Sequence, residues 1–357
     1  MRRICILNEH AEWDRYLVAE LERHGFDCTI WSLCDLQIAM LRQPSTHMLY
    51  LNRYSPSSFW RGNSPAKGAA LSVVAWLEAH GCIVINGRQA LELEISKVAQ
   101  SLACRSVGLR FPYTEMVVGP AALKRAAAAW GQSISRQTSP LVLKPNCGGS
   151  GNGVRHYATS QALLDALDAE EMVDISPDGV VLLQQFIPAD YIYRLEFVGG
   201  NLLYTVRIRT EQGQFNHCPC EQDVAGACAV GRPPKFEIDL NFPAEDAEFL
   251  LVQALKRMLR AHLVDVAAIE AIRDGRNRWW VIDCNCCNTN YNVVAEQRAN
   301  VTGGNTAIAQ WVRGAAIARL EASAPPAPLP NLHSTRPPGA GASDDHTPRE
   351  SCAPDGS

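Results

Sequence analysis

The stretch VIDCNCCNTNYN, Val281 to Asn292, packs one carboxylate, four asparagines and three cysteines into twelve positions. Side chains alternate along an extended strand, so Val281, Asp283 and Asn285 are expected on one face and Cys284 and Cys286 on the other. The segment AAIEAI just upstream carries Glu270. Asp274 and Gly275 between the two suit a hairpin bend that would turn Glu270 toward Asp283. Two carboxylates and an amide oxygen converging on one point form a hard-oxygen site of the kind Mg²⁺ takes, with phosphate oxygens completing the shell. The competing view is a surface hairpin carrying incidental acids.

A second stretch, LVLKPNCGGSGNGV, brings Lys144 to the end of an apolar strand and follows it with Gly148, Gly149, Gly151 and Gly153. Backbone N–H groups of a glycine-rich loop can surround phosphate oxygens, and a lysine adds a point charge. The pattern is neither a Walker loop nor a Rossmann GxGxxG, and a plain flexible turn has the same composition.

Thirteen cysteines invite a different reading, a metal or redox protein using Cys218, Cys220, Cys284, Cys286 and Cys287. The odd count and the lack of a secretory leader argue against a disulfide framework. No CxxC pair is repeated, which argues against structural zinc. Buried free thiols behaving as small hydrophobes are the simpler expectation.

These residues need a scaffold, and 357 residues at 47% hydrophobic can build a substantial core. A net charge of −4 gives no electrostatic reason to expect nucleic acid or an anionic membrane as partner. No segment approaches the ~20 apolar residues that span a bilayer, so a soluble, cytoplasmic protein is expected. Up to about residue 110 strands and helices alternate: ICIL, AEWDRYLVAELERHGF, DCTIWSL, HMLYLNR, AKGAALSVVAWLEAHG, CIVING. That rhythm predicts a parallel α/β sheet. A second region follows with the helix PAALKRAAAAW, the strand PLVLKP, the helix SQALLDALDAEEM and the strand GVVLLQQFI. YRLEFVGG and NLLYTVRIRT form a hairpin about Gly-Gly-Asn, PAEDAEFLLVQALKRMLRAHL is a long amphipathic helix, and NTAIAQWVRGAAIARLEAS closes the fold. From residue 324 Pro, Gly, Ser and Asp dominate, and a disordered tail over 324–357 is expected.

Strand, lysine, glycine-rich loop, LLQQFI, the YRLEFVGGNLLYTVRIR hairpin and IEAI…VIDCN, in that order, resemble the ATP-grasp superfamily. The likeness is greatest to RimK-type and glutathione-synthetase-like carboxylate–amine ligases. Upstream, GCIVINGRQALELEISKVAQSLACRSVGLRFPYT resembles that family's junction, in which a helix carries an ATP-contacting lysine. The resemblance implies an N-terminal parallel α/β pre-ATP-grasp domain (1–110) and a two-lobed ATP-grasp domain (111–323), its lobes meeting near residue 187. It implies ATP and Mg²⁺, with Mn²⁺ as a substitute, and amide-bond formation through an acyl phosphate. Its substrates would be small-molecule or peptide carboxylates and amines, and a homo-oligomer is compatible with it. Carried onto this chain, it implies that Lys97 and Lys144 contact phosphates and that Gly149, Ser150, Gly151 and Gly153 form the phosphate lid. Gln184, Gln185, Phe186 and Ile187 would form the adenine hinge, with Asp190 near the ribose. Glu270, Asp283 and Asn285 would hold Mg²⁺, and Arg194, Arg207 and Arg209 would stabilise transferred charge. A regulator that keeps the fold and has lost turnover is the non-enzymatic alternative.

The chain departs from the RimK pattern at CCNTNYN, where Pro-Gly usually follows the metal-binding Asn, and at FNHCPCEQD. Transfer of glutamate to a ribosomal protein is therefore not assumed. Asn288, Asn290 and Asn292 are candidate substrate contacts or turn formers. In NRYSPSSFWRG, Arg53 and Arg61 could clamp a substrate carboxylate at a strand end, where open α/β sheets place ligands.

Overall fold

A computed structural model describes residues 2–132, 139–169, 176–210 and 235–322. The first layer holds β1 (Arg2–Asn8), α1 (Ala11–Arg23), β2 (Phe26–Ser32), β3 (Leu49–Asn52), α2 (Ala66–Ala79), β4 (Val84–Ile85), α3 (Arg88–Glu94) and α4 (Lys97–Ser106). The strands pair in parallel in the order β2-β1-β3-β4, as the alternation of strand and helix predicts. The central strands β1 and β3 are buried on both faces, which explains their apolar runs. Ile4 and Ile6 pack with Leu17 and Leu21 of α1, while Cys5 and Leu7 pack with Val74 and Leu77 of α2. The strand order reverses at β1, with β2 on one side and β3 on the other, so the C-terminal ends of β1 and β3 bound a crevice.

The second layer is β5 (Thr114–Val118), α5 (Pro120–Gln132), β6 (Leu141–Pro145), β7 (Arg155–Tyr157), α6 (Ser160–Asp168) and β8 (Val180–Gln185). Its antiparallel sheet runs β5-β8-β6-β7. One face, Leu141, Leu143 and Leu183, buries against Leu123, Ala127 and Trp130 of α5 and Leu163 and Leu167 of α6. Each such side chain contributes about 1.5–3 kcal/mol by leaving water. Period-two alternation sends Val142, Lys144 and Gln184 to the opposite face.

The third layer is β9 (Tyr191–Val198), β10 (Asn201–Arg209), β11 (Phe236–Asp239), α7 (Asp246–Ala261), β12 (Val266–Arg273), β13 (Trp279–Asn285), α8 (Val293–Ala299), α9 (Gly304–Trp311) and α10 (Ile317–Ala322). Its antiparallel sheet runs β11-β10-β9-β12-β13. Gly199 and Gly200, both at positive φ, make the tight β9–β10 bend. The closing helix expected from the sequence is broken by a π-helical turn at Val312–Ala316, between α9 and α10. Leu195 and Phe197 of β9 and Leu255 and Leu259 of α7 share one core with Leu7 and Tyr50, so the first and third layers are fused by packing. The second layer's buried residues form a core of their own.

The helix expected to run through Met172 is described as far as Asp168. FNHCPCEQD with Cys218 and Cys220, and the tail from residue 324, lie outside the described residues.

Candidate functional site

A cleft of about 1710 Å³ is lined by all three layers. From the second layer come Val142, Lys144, the loop Gly148–Asn152, and the strand end Gln184–Ile187 leading to Asp190. From the third come Arg194, Glu270, Ile282, Asp283, Asn285, Asn288 and Asn290, and from the first Trp13, Ser55, Ser57 and Lys97.

The β12–β13 pairing sets Glu270 directly opposite Asp283, as the hairpin reading predicts. The alternation of β13 is interrupted, however: Asp283 pairs with Glu270 while Val281 pairs with Ala271, so Ile282 is the extra residue of a bulge. Val281 therefore joins Cys284 and Cys286 in the core rather than sharing a face with Asp283, and Ile282 takes its place on the cleft. This corrects the expected face of Val281. All three cysteines of the stretch are buried. Burial pushes the Cys286 and Cys287 thiols well above their ordinary range, as does the hydrogen bond with Cys104, together with burial, for Cys284. Such thiols are poor nucleophiles and poor metal ligands. Among the described residues no group of three or more His, Cys, Asp or Glu is placed to hold a metal ion.

Asn86, buried and left-handed at φ 53, fixes the strand that carries Glu270. Its Oδ1 accepts from the N–H of Asp265 and of Val266, and its Nδ2 donates to Val266 O. Asn146 joins the two lysines. Its Oδ1 accepts from Val98 N–H at the start of α4, and Lys97 N–H donates to Asn146 O. Lys97 Nζ then lies 2.7 Å from Asp283 Oδ1 and 3.4 Å from Gly148 O, and Lys144 Nζ donates to Ile282 O at 3.2 Å. The loop itself folds tightly: a Cβ on Gly148 would come within 2.7 Å of the Pro145 ring, and Ser150 and Gly151 both take positive φ.

Charge is crowded here. Burial and the charge of Asp283 push Glu270 up to about 7. Burial would raise Asp283 too, but Lys97 and Lys144 hold its carboxyl below the usual range. Burial and then Lys97 bring Lys144 down to about 8, whereas the carboxylates around Lys97, Asp283 foremost, outweigh burial and raise it. Positive charge arriving beside Glu270 would favour its ionised form. Two carboxylate groups and the Asn285 amide, all oxygen donors, fit a hard divalent cation whose remaining ligands are phosphate oxygens or water.

Several expected site residues lie elsewhere. Arg53 is buried, its Nε 2.8 Å from Asp14 Oδ1 and its Nη2 donating to Thr289 O at 3.1 Å. Arg61 pairs with Glu9, and its guanidinium lies 4.2 Å above the Trp13 ring. Both arginines already hold a carboxylate of their own chain, and neither lines the cleft. Asn292 caps α8, its side chain accepting from Ala295 N–H. Arg207 and Arg209 do share a face, both within 6 Å of the Tyr191 ring (5.7 and 5.6 Å), but Arg207 reaches Glu237 at 3.0 Å on β11 and neither lines the cleft. Gly153, with φ 75, turns the loop without lining it. Gln184 donates to Thr114 Oγ1 at 2.8 Å, and Gln185 and Phe186 give their N–H groups to Tyr113 O and Pro140 O.

Sequence reasoning missed three anchoring residues. Glu196 accepts from Arg194 Nε at 2.6 Å and from Thr289 Oγ1 at 2.9 Å; its period-two spacing from Arg194 on β9 was the available signal. Thr289 Oγ1 accepts from Arg194 Nη2 at 2.8 Å, so one hydroxyl joins β9 to the loop after β13. Buried Glu94 accepts from the N–H groups of Cys286 and Cys287, a contact between residues far apart in sequence with no local signature.

No protein-family model matches the sequence, and no curated protein sequence does. Solved structures do match in fold. D-cycloserine synthetase DcsG superposes with a TM-score of 0.58 at 15% identity, covering 89% of this chain and 99% of that one. A RimK domain ATP-grasp protein from Sphaerobacter thermophilus gives 0.55 at 18% identity, covering 87% and 100%. The macrocyclase MdnC of Microcystis aeruginosa, bound with precursor peptide MdnA, gives 0.56 at 14% identity, covering 86% and 98%. The three layers thus share the fold of an ATP-grasp protein.

Proposed function

We propose that this chain is an ATP-dependent carboxylate–amine ligase acting on an amino acid or small peptide. The observation that carries the reading is the facing Glu270/Asp283 pair with Asn285, held where Lys97, Lys144 and the glycine-rich loop meet in one cleft. The fold it shares with a synthetase and a peptide macrocyclase supports the same reading. Residues 1–110 would form the pre-ATP-grasp domain, and 111–187 and 188–323 the ATP-binding and C-terminal lobes of the ATP-grasp domain.

In this reading the strand end Gln184–Ile187 receives adenine, Asp190 lies near the ribose, and Lys97, Lys144 and the loop Gly149–Gly153 hold the phosphates. Glu270, Asp283 and Asn285 would hold Mg²⁺, which when bound neutralises phosphate charge. Arg194, fixed by Glu196 and Thr289, offers its guanidinium to the charge that develops on the transferred group. A substrate carboxylate oxygen attacks the γ-phosphorus, and ADP leaves with the electrons of the broken P–O bond. An amine nitrogen then attacks the acyl carbon, the C–O bond to phosphate breaks, phosphate departs with that pair, and the nitrogen's surplus proton passes to solvent. The chain's own contribution is position and charge rather than covalency.

The test is Mg²⁺-ATP turnover with pooled amino acids and small carboxylic acids, with hydroxylamine as the amine. Hydroxamate formed in step with ADP is expected, and splitting the pool identifies the donor. ATP binding with neither product across a widened pool would point to a nucleotide-binding regulator instead.

A further inference from the structure

Asn288 lines the cleft, and its Oδ1 is buried with no hydrogen-bond donor. Buried acceptors are rarely left so, because the oxygen has given up water without recompense. The backbone on either side of Asn288 is held in place. On one side, the N–H groups of Cys286 and Cys287 donate to Glu94, and Asn52 Nδ2 donates to Cys287 Sγ at 3.3 Å. On the other, Thr289 is held through its carbonyl by Arg53 and through its hydroxyl by Arg194 and Glu196. Asn288 is thus clamped between two buried residues, three positions after Asn285 and next to the residue that anchors Arg194.

We infer that Asn288 receives the amine substrate, its Oδ1 accepting a hydrogen bond from the amine N–H. The inference rests on the ligase reading. Of the two reacting groups, the carboxylate brings acceptors alone, whereas the amine brings N–H donors that match an acceptor without one. The adenine amino group and ribose hydroxyls also donate, but in the ligase reading they lie along Gln184–Asp190. Asn288 also stands in the stretch where the chain departs from the RimK pattern, so its choice of amine is its own.

The experiment measures KM for hydroxylamine, for the carboxylate found by the pooled assay and for ATP in the wild type, Asn288→Ala and Asn288→Asp. Loss of one hydrogen bond to a small ligand corresponds to about a tenfold rise in hydroxylamine KM for Asn288→Ala, with ATP KM unchanged. Asn288→Asp keeps an oxygen at the accepting position and is expected to return hydroxylamine KM toward wild type. An unchanged hydroxylamine KM in Asn288→Ala, a rise confined to the carboxylate's KM, or an Asn288→Asp as impaired as the alanine variant would overturn the inference and leave the ligase reading standing. If the wild type makes neither hydroxamate nor ADP, the ligase reading falls and takes this inference with it.

Discussion

Lys144 and Arg53 are both buried cations at the end of a strand, β6 and β3, and the fold treats them in opposite ways. Arg53 is ion-paired with Asp14, and both side chains are 2% exposed. Lys144 makes no ion pair among the described residues and donates to a carbonyl, and burial together with Lys97 brings it down to about 8. Arg53, paired with an equally buried carboxylate, is finished structure. Lys144, buried without such a partner, is in the ligase reading where a phosphate would bring the anion. The same contrast separates the second layer's face on the cleft from the interior of the first layer. The second layer presents Lys144, glycine-rich backbone and a strand end, whereas the first layer's charges, Asp14 with Arg53 and Glu9 with Arg61, are neutralised in place.

Breaking the finished pair should cost the most. Arg53→Ala leaves Asp14 buried without its partner, and a loss of about 3–5 kcal/mol of stability is expected in urea unfolding. ATP affinity should be spared in the folded fraction. A stable Arg53→Ala with a raised substrate KM would instead make Arg53 the carboxylate clamp that its strand-end position suggests. Lys144→Ala should reverse this balance. Stability should hold, since a buried cation is removed, while ATP binding measured by calorimetry weakens about 10- to 100-fold, as befits lost charge-assisted hydrogen bonds.

What the sequence disclosed follows the same division. Lys144 and the loop follow each other directly along the chain, and period-two alternation on β6 and β8 suffices to send Val142, Lys144 and Gln184 to one face. Glu270 opposite Asp283 was legible because a hairpin of known bend fixes its own register. The bulge at Ile282 was not, since one added residue reverses the face of everything beyond it and no residue type announces it. The pairing of Arg53 and Arg61 was not legible because their partners, Asp14 and Glu9, lie 39 and 52 residues away, a distance that the parallel sheet's crossovers close. α8 was overlooked although Asn292 before VVAEQRA is a serviceable N-cap signal.

The smallest effect belongs to the pair outside both walls. Arg207 and Glu237 form a partly exposed ion pair at a sheet edge, so Arg207→Ala should change stability by no more than about 1 kcal/mol and leave kcat/KM for ATP within about twofold. A loss of turnover far beyond that would draw Arg207 back into the chemistry through a movement of β10.

The central claim is that the carboxylate–amide set of VIDCNCCNTNYN, and not its thiols, does the chemistry. The most direct measurement is Mg²⁺-ATP turnover of Asp283→Asn beside Cys286→Ser, both checked for folding. Asp283→Asn should lose about 100-fold or more, as expected when charge poised at the reacting phosphates is removed, while Cys286→Ser keeps its turnover. An active Asp283→Asn beside an inactive, folded Cys286→Ser would contradict the account.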